Sequence, residues 1–481
     1  MPITPKHYFW IVLIILLVAC AVPGVGGSPT EVDMTAIFNQ AAATAVSAQM
    51  TRAAMQPTPT EPGQAATPAL STPTALLTET PAPTLTQTPL PLVTVDGLRM
   101  AYIIEGNLYV QDSGEQPVKL TTSGQDRSPI FSDEGEKVVF FRGKASNPNS
   151  IYSINADGSQ EQELVSASKL TKLFPGYDEF TKLSNMAFVP NTHQLLFNTS
   201  EVKPWSDQAQ HMSPMDVQRN QDMLLLDIDT VEIKQLLAPG KGGIFQVSPN
   251  GKLDMVYTRN YIDVIGIYGQ VDRRHMITYQ PDWDYEWTEP FWTQDSSKFM
   301  FVAPIKGNAD GTDGPEPNTI WEYFVDSNSA VEIRINPPPM AHYFTISPDG
   351  DWIAYSYFYY EGKTDETTPS GVYIGNLHDG SSRFLGSAQS YGLPDTFNWS
   401  PDSKYFIFDE TYLGNTQGDV APLDATGIWM GWIDNYRYLN KKDGVVMGEI
   451  GKEENVLVVD LPASLKNLYA GYFTYIYAKP K

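Results

Sequence analysis

Beyond residue 94, apolar residues fall in short runs with a two-residue alternation, and turn residues break the runs at close intervals. Lys137-Val138-Val139-Phe140-Phe141 is a short continuous run, and Leu98-Arg99-Met100-Ala101-Tyr102 shows the alternation. That period puts successive side chains on opposite faces of an extended chain, so the pattern predicts strands rather than helices. The N-terminal part reads differently. Tyr8–Ala19 is a continuous apolar run. Met34, Ile37, Phe38, Ala41, Ala45 and Ala48 recur at helical spacing and predict a short helix within 20–55. Residues 56–92 are a Pro-Thr tract without apolar period, predicting an extended, disordered linker. At ~3.1 Å per residue it reaches up to roughly 100 Å.

One unit recurs through the strand-rich part. An apolar strand ends at Phe131, followed by Ser132-Asp133-Glu134-Gly135 and a returning strand. Phe188-Val189-Pro190-Asn191, Val247-Ser248-Pro249-Asn250-Gly251 and Trp292-Thr293-Gln294-Asp295-Ser296 repeat it. So do Ile346-Ser347-Pro348-Asp349-Gly350 and Trp399-Ser400-Pro401-Asp402-Ser403. Trp432-Ile433-Asp434-Asn435 is a worn seventh copy. In each, Pro fixes φ, Asp bonds nearby amides, and Gly tolerates positive φ, which makes a tight turn. A further pair of strands follows in several copies, as at Ile151–Asn155, so each unit is about four antiparallel strands.

These repeats resemble the WD40-like repeats of the TolB family and of prolyl oligopeptidase propellers, over roughly 97–440. The resemblance implies an all-β fold, a β-propeller over 94–481. Seven blades are expected from the motif count, with six or eight open. Residues 98–112 lack a motif strand of their own, so the C-terminal segment is expected to supply it and close the ring. Leu17-Val18-Ala19-Cys20 resembles the lipobox of bacterial lipoproteins. That implies a signal peptide over 1–19, cut before Cys20, whose thiol then carries diacylglycerol. The apolar run is ~12 residues, short of the ~20 that span a bilayer.

Composition narrows the rest. The formal charge is −24, which repels nucleic acid phosphates. Cys20 is the only cysteine, so no intrachain disulfide can form. No Gly-x-Ser-x-Gly elbow or His-Glu-x-x-His motif occurs. His193, His211, His275, His342 and His378 are scattered. Asn308, Asp310 and Asp313 put oxygen ligands at alternate positions around glycine, a Ca²⁺ pattern, but the twelve-residue EF-hand spacing and its closing glutamate are missing, which favours a solvated acidic hairpin loop. No other cofactor is expected. Trp283–Trp292 is the densest aromatic stretch; Phe291 and Trp292 lead into a repeat turn and favour core and loop packing, with a sugar-stacking ligand platform as the alternative.

Loops just before the motif strands carry Asp126, Arg127, Asn185, Glu289, His342, Tyr343 and Asp395. With the strand order read here, they ring one channel mouth and are the candidate ligand-binding residues. The expectation is a lipoprotein anchored to the envelope membrane, displaying a propeller that binds an envelope protein, peptide or glycan. The alternative is a metal-assisted polysaccharide lyase or hydrolase with its site at the channel.

Overall fold

A computed structural model of the chain describes residues 92–477 apart from 145–146, 178–180, 202–221, 258–260, 269–271, 279–289, 304–318, 340–342, 360–366, 393, 395, 424–426, 453, 463–464 and 466–472. The leader with Cys20, the helix expected within 20–55 and the Pro-Thr tract up to 91 lie outside the described residues. So do Glu289, His342, Asp395, the aromatics 283–287, and Asn308, Asp310 and Asp313.

The strands form eight four-stranded antiparallel sheets. The first blade pairs Leu98–Ile104, Asn107–Asp112 and Val118–Lys119 with Phe473–Tyr477. The second holds the strands from Asp126 to Ser166 and the third those from Thr181 to Leu237. The fourth runs from Ile244 to Thr278 and the fifth from Phe291 to Ile333. The sixth, seventh and eighth span Phe344–Ser387, Phe397–Pro422 and Ile428–Val459. In each of these seven the sheet order follows chain order, from an innermost strand outward.

The ring is held by packing between neighbours. Eight apolar clusters occupy the eight seams, one each. Alternation explains this. Val138 and Phe140 face the first blade, while Val139 and Phe141 of the same strand face the third. A blade therefore buries both faces only between two others. The last seam joins Leu439, Val445 and Val459 of the eighth blade to Leu98, Met100, Phe473 and Tyr475 of the first.

The blade count is eight, not the seven expected. Seven motif copies mark seven innermost strands that run into a Ser-Pro-Asp-Gly turn. The first blade takes its innermost strand from Phe473–Tyr477, which precedes no such turn, so counting motifs falls one short. The closing role expected of the C-terminal segment is the one this strand fills, pairing Leu98 with Tyr477 and Tyr102 with Phe473.

The repeated turns work as their chemistry requires. Ser347 Oγ donates to Asp349 Oδ1 at 2.5 Å and accepts from the Trp352 amide at 2.9 Å. Ser400 does the same with Asp402 and Tyr405, at 2.8 and 3.0 Å. These aspartates are turn formers. Indoles add a second tie between blades. Trp292, Trp399 and Trp432 each donate Nε1–H to a carbonyl of the preceding innermost strand, at Gln246, Thr345 and Asn398.

Two ends of the ring follow from the topology. At one, the turn end, no connection is longer than six residues. At the other lie the second-to-third strand hairpins and the crossovers between blades. There the connections 202–222, 304–318 and 358–370 are long, as are the crossovers 167–180 and 279–290.

Candidate functional site

The crossover end collects the starts of the innermost strands, where the candidate residues were expected. Three of the six in the ligand-binding set are described there: Asp126, Arg127 and Tyr343. Asn185 is also described and is exposed.

Asp126 is enclosed. Arg142 Nε approaches its Oδ1 at 2.6 Å and Nη2 its Oδ2 at 3.3 Å. Ser123 Oγ donates to it at 2.7 Å, and the Thr121 hydroxyl donates as well. Arg142 also meets Glu161 at 2.6 Å and lies over the Tyr152 ring at 4.1 Å. Burial works against the Arg142 charge, but its bonds to Asp126 and Glu161 leave its pKa above the ordinary value. Thr121 and Ser123 belong to the crossover 120–125. The Asp126–Arg142 pair therefore fastens that crossover, and its carboxylate oxygens are spent within the fold.

Arg127 is half-buried, donates from Nη2 to the Gly143 carbonyl, and leaves Nε without a partner. Tyr343 is half-buried and meets Phe358 edge-on at 5.4 Å. Asn185 accepts no ligand-like geometry of its own; its amide donates to Asn198 Oδ1 at 3.0 Å.

Two features at this end gave no sequence signal. Asp222, at the entry to the third strand of the third blade, is fully buried. The Tyr177 hydroxyl donates to it, and Thr199 supplies its amide at 2.6 Å and its hydroxyl at 2.9 Å. Burial outweighs these bonds and pushes the carboxyl up to about 6. Tyr177 is in turn bonded by Gln235 at 3.1 Å. The network ties the crossover 167–180 to the third blade. The second feature is the hairpin Asp409-Glu410, where both residues adopt positive φ, 49° and 54°. Burial raises the Glu410 pKa, partly offset by the Trp429 amide.

The described histidine side chains lie at the turn end. His193 Nδ1 sits 2.6 Å from Asp229, and Nε2 3.6 Å from Glu134 of the neighbouring blade. His378 Nε2 is 2.9 Å from Asp351. Among the described residues, no group of three or more His, Cys, Asp or Glu is placed to hold a metal ion. No helix among them is long and apolar enough to cross a membrane.

No protein-family model matches the chain, and no curated protein sequence does. Solved structures do. An oligogalacturonate lyase in complex with manganese is 13% identical, with a TM-score of 0.42 over 63% of this chain and 78% of that one. TolB from Acinetobacter baumannii is 16% identical, with a TM-score of 0.27 over 68% and 64%. Porphyromonas gingivalis dipeptidyl peptidase 4 is 13% identical, with a TM-score of 0.44 over 69% and 52%. At these values no substrate or reaction transfers to this chain. The propeller stands on its own eight sheets.

Proposed function

We propose that the chain is an extracytoplasmic binding lipoprotein, lipidated at Cys20, whose propeller presents its crossover end to a ligand or partner. The observation that supports this is the opposition between stalk entry and long connections. Leu98 opens a strand at the turn end, and the chain leading to it is fixed there. Leu92 bridges Leu457, the Val93 amide donates to the Leu457 carbonyl at 2.7 Å, and the Val95 amide to Ser113 Oγ at 3.0 Å. Residues 92–95 thus lie at the seam between the eighth and first blades. The long connections stand at the opposite end, where a rigid ring positions variable loops.

The test is binding of the purified domain to an array of envelope glycans and peptides. Changing Arg127, Glu289 and His342 together to alanine should abolish a signal that survives changes to the turn-end residues Asp379, Lys404 and Lys452. Product release from any arrayed glycan, lost in His342→Ala, would replace this reading with the lyase or hydrolase one. Cys20→Ser should release the protein from membranes.

A further inference from the structure

Charge is distributed unevenly between the two ends of the ring. At the turn end three aspartates of the outer hairpins, Asp157, Asp227 and Asp379, are held ionised. Bonds from Ser159, Thr230 and Ser381 lower the pKa values of Asp157, Asp227 and Asp379. The crossover end of the second and third blades is the reverse. Arg127 begins the innermost strand of the second blade, and Lys144 ends its second strand. Lys172 stands in the last turn of the helix Ala167–Leu173, within the next crossover. Lys241 lies in the following crossover. These two crossovers touch, since a Cβ on Gly176 would lie 3.4 Å from the Pro239 ring. Lys144, Lys172 and Lys241 are exposed. Among the described residues none of the four cations has a carboxylate partner. Of the acids on these elements, Asp126 and Asp222 are buried and committed; Asp178 and Glu179, in the crossover that carries Lys172, lie outside the described residues. In sequence, Asp178, Glu179, Glu201, Asp207 and Asp216 of these segments stand against Lys169, Lys182, Lys203 and Arg219, so an excess of three positive charges remains with the four cations counted.

We infer that this basic patch docks a soluble polyanion of the cell envelope, a glycan polymer with repeating carboxylate or phosphate groups. The inference rests on the reading of the crossover end as the recognition end, and adds the partner's chemistry and its place. A chain of net charge −24 repels polyanions from afar. Strands of about six residues separate the two ends by roughly 20 Å. That is more than twice the ~8 Å Debye length at physiological salt, so the acidic end is screened from a ligand at the other. Four cations without carboxylate partners among the described residues, on two touching crossovers and on two strand ends of the second blade, match a polymer with repeating charges better than a single small anion. An anionic membrane is the poorer match. Residues 92–97 lie at the far end, and among the described residues Leu173 is the one large apolar side chain beside these lysines that is strongly exposed, at 51%.

The experiment uses the mature full chain with alginate, polyglycerol phosphate, neutral dextran and phosphatidylglycerol vesicles as probes. Retention by alginate or polyglycerol phosphate but not dextran is expected, weakening steadily as NaCl is raised. The triple change Lys144→Glu, Lys172→Glu, Lys241→Glu should weaken it at least 10-fold with unchanged melting temperature. The single change Lys172→Ala should weaken it about 2–3-fold. Alginate tells the carboxylate source from the phosphate source. Equal binding by the triple variant, equal binding of dextran, or binding to vesicles alone overturns the inference. If both polymers fail while a glycan or peptide signal still depends on Arg127, Glu289 and His342, the recognition end stands and the polyanion does not.

Discussion

Gly431 leaves the space that Tyr475 fills. A Cβ on Gly431 would lie 2.1 Å from the Tyr475 hydroxyl oxygen, and Gly431 has φ of 149°. The hydroxyl instead donates to the Trp432 carbonyl at 3.0 Å. This joins the C-terminal strand to the innermost strand of the eighth blade, while Trp432 itself donates back to Asn398. The ring is closed at the seam by this relay together with the cluster around Leu98, Met100 and Phe473. Gly431→Ala should displace Tyr475 and lower the melting temperature by more than Tyr475→Phe, which loses only the bond, about 1 kcal/mol. Equal effects of the two changes in thermal unfolding would show that the close approach is unimportant.

Ser403 sits at positive φ, 61°, a repeat-turn position held by Gly135, Gly251 and Gly350 in other blades and by Ser296 in the fifth. It is buried, and its hydroxyl accepts the Asp349 amide of the preceding blade at 3.0 Å. Two opposed effects meet there. The left-handed backbone costs about 1–2 kcal/mol for a residue with a Cβ, and the interblade bond returns about 1 kcal/mol. Ser403→Gly should therefore be close to neutral. Ser403→Ala keeps the strain, loses the bond, and should destabilise by about 1–2 kcal/mol in denaturant unfolding. A variant order with Ala above Gly would contradict this account.

How much of this was legible in the sequence depends on the range of the interaction. The turns at Ser347-Pro348-Asp349-Gly350 and Ser400-Pro401-Asp402-Ser403 are local, so residue order alone predicts them and, through repetition, the propeller. The closing strand could be expected because Leu98–Asp112 lacked a partner. The count failed because Phe473–Tyr477 pairs across almost the whole chain and precedes no repeat turn. The candidate site was less legible. Placement of Asp126 and Arg127 at the crossover end follows from strand direction. That Arg142 encloses Asp126 depends on a cross-strand pair and on Thr121 and Ser123 folding over it. Asp222 and Tyr177 are 45 residues apart and meet only in three dimensions.

Asp254 is fully buried in the second strand of the fourth blade, and both carboxylate oxygens lack a hydrogen-bond partner among the described residues. Burial raises its pKa well above the ordinary value, and the nearby Gln246 amide offsets only part of that. An unpaired buried carboxylate is a destabilising feature at neutral pH. Asp254→Asn removes the ionisation and should raise the melting temperature at pH 8. The gain should be smaller at pH 3, where both folded and unfolded forms of the wild type mostly hold the proton. A loss of stability at both pH values would show that Asp254 has a partner that matters.

Asp222 gives a pH window that can be stated in advance. Its carboxyl titrates near the ordinary 3.8 when unfolded and at about 6 when folded. Below about pH 4 both forms are protonated and the group adds no pH dependence. As pH rises from 4 to 6 the unfolded chain releases the proton first, so stability falls; above 6 the loss is complete. The size is on the order of 2–3 kcal/mol from a shift of about two units. Asp222→Asn keeps an oxygen for the Thr199 amide and cannot ionise, so its stability should gain on the wild type across that window. His193 also has a raised pKa, from its bond to Asp229. Its stabilising contribution is full below about 6.5 and lost as pH rises through the folded value, a later window that cancels in the difference between the two proteins. Urea unfolding from pH 4 to 8 measures both curves. A difference independent of pH, or one that shrinks between 4 and 6, would show that the carboxylate is not held against burial, and that the Tyr177 and Thr199 bonds dominate.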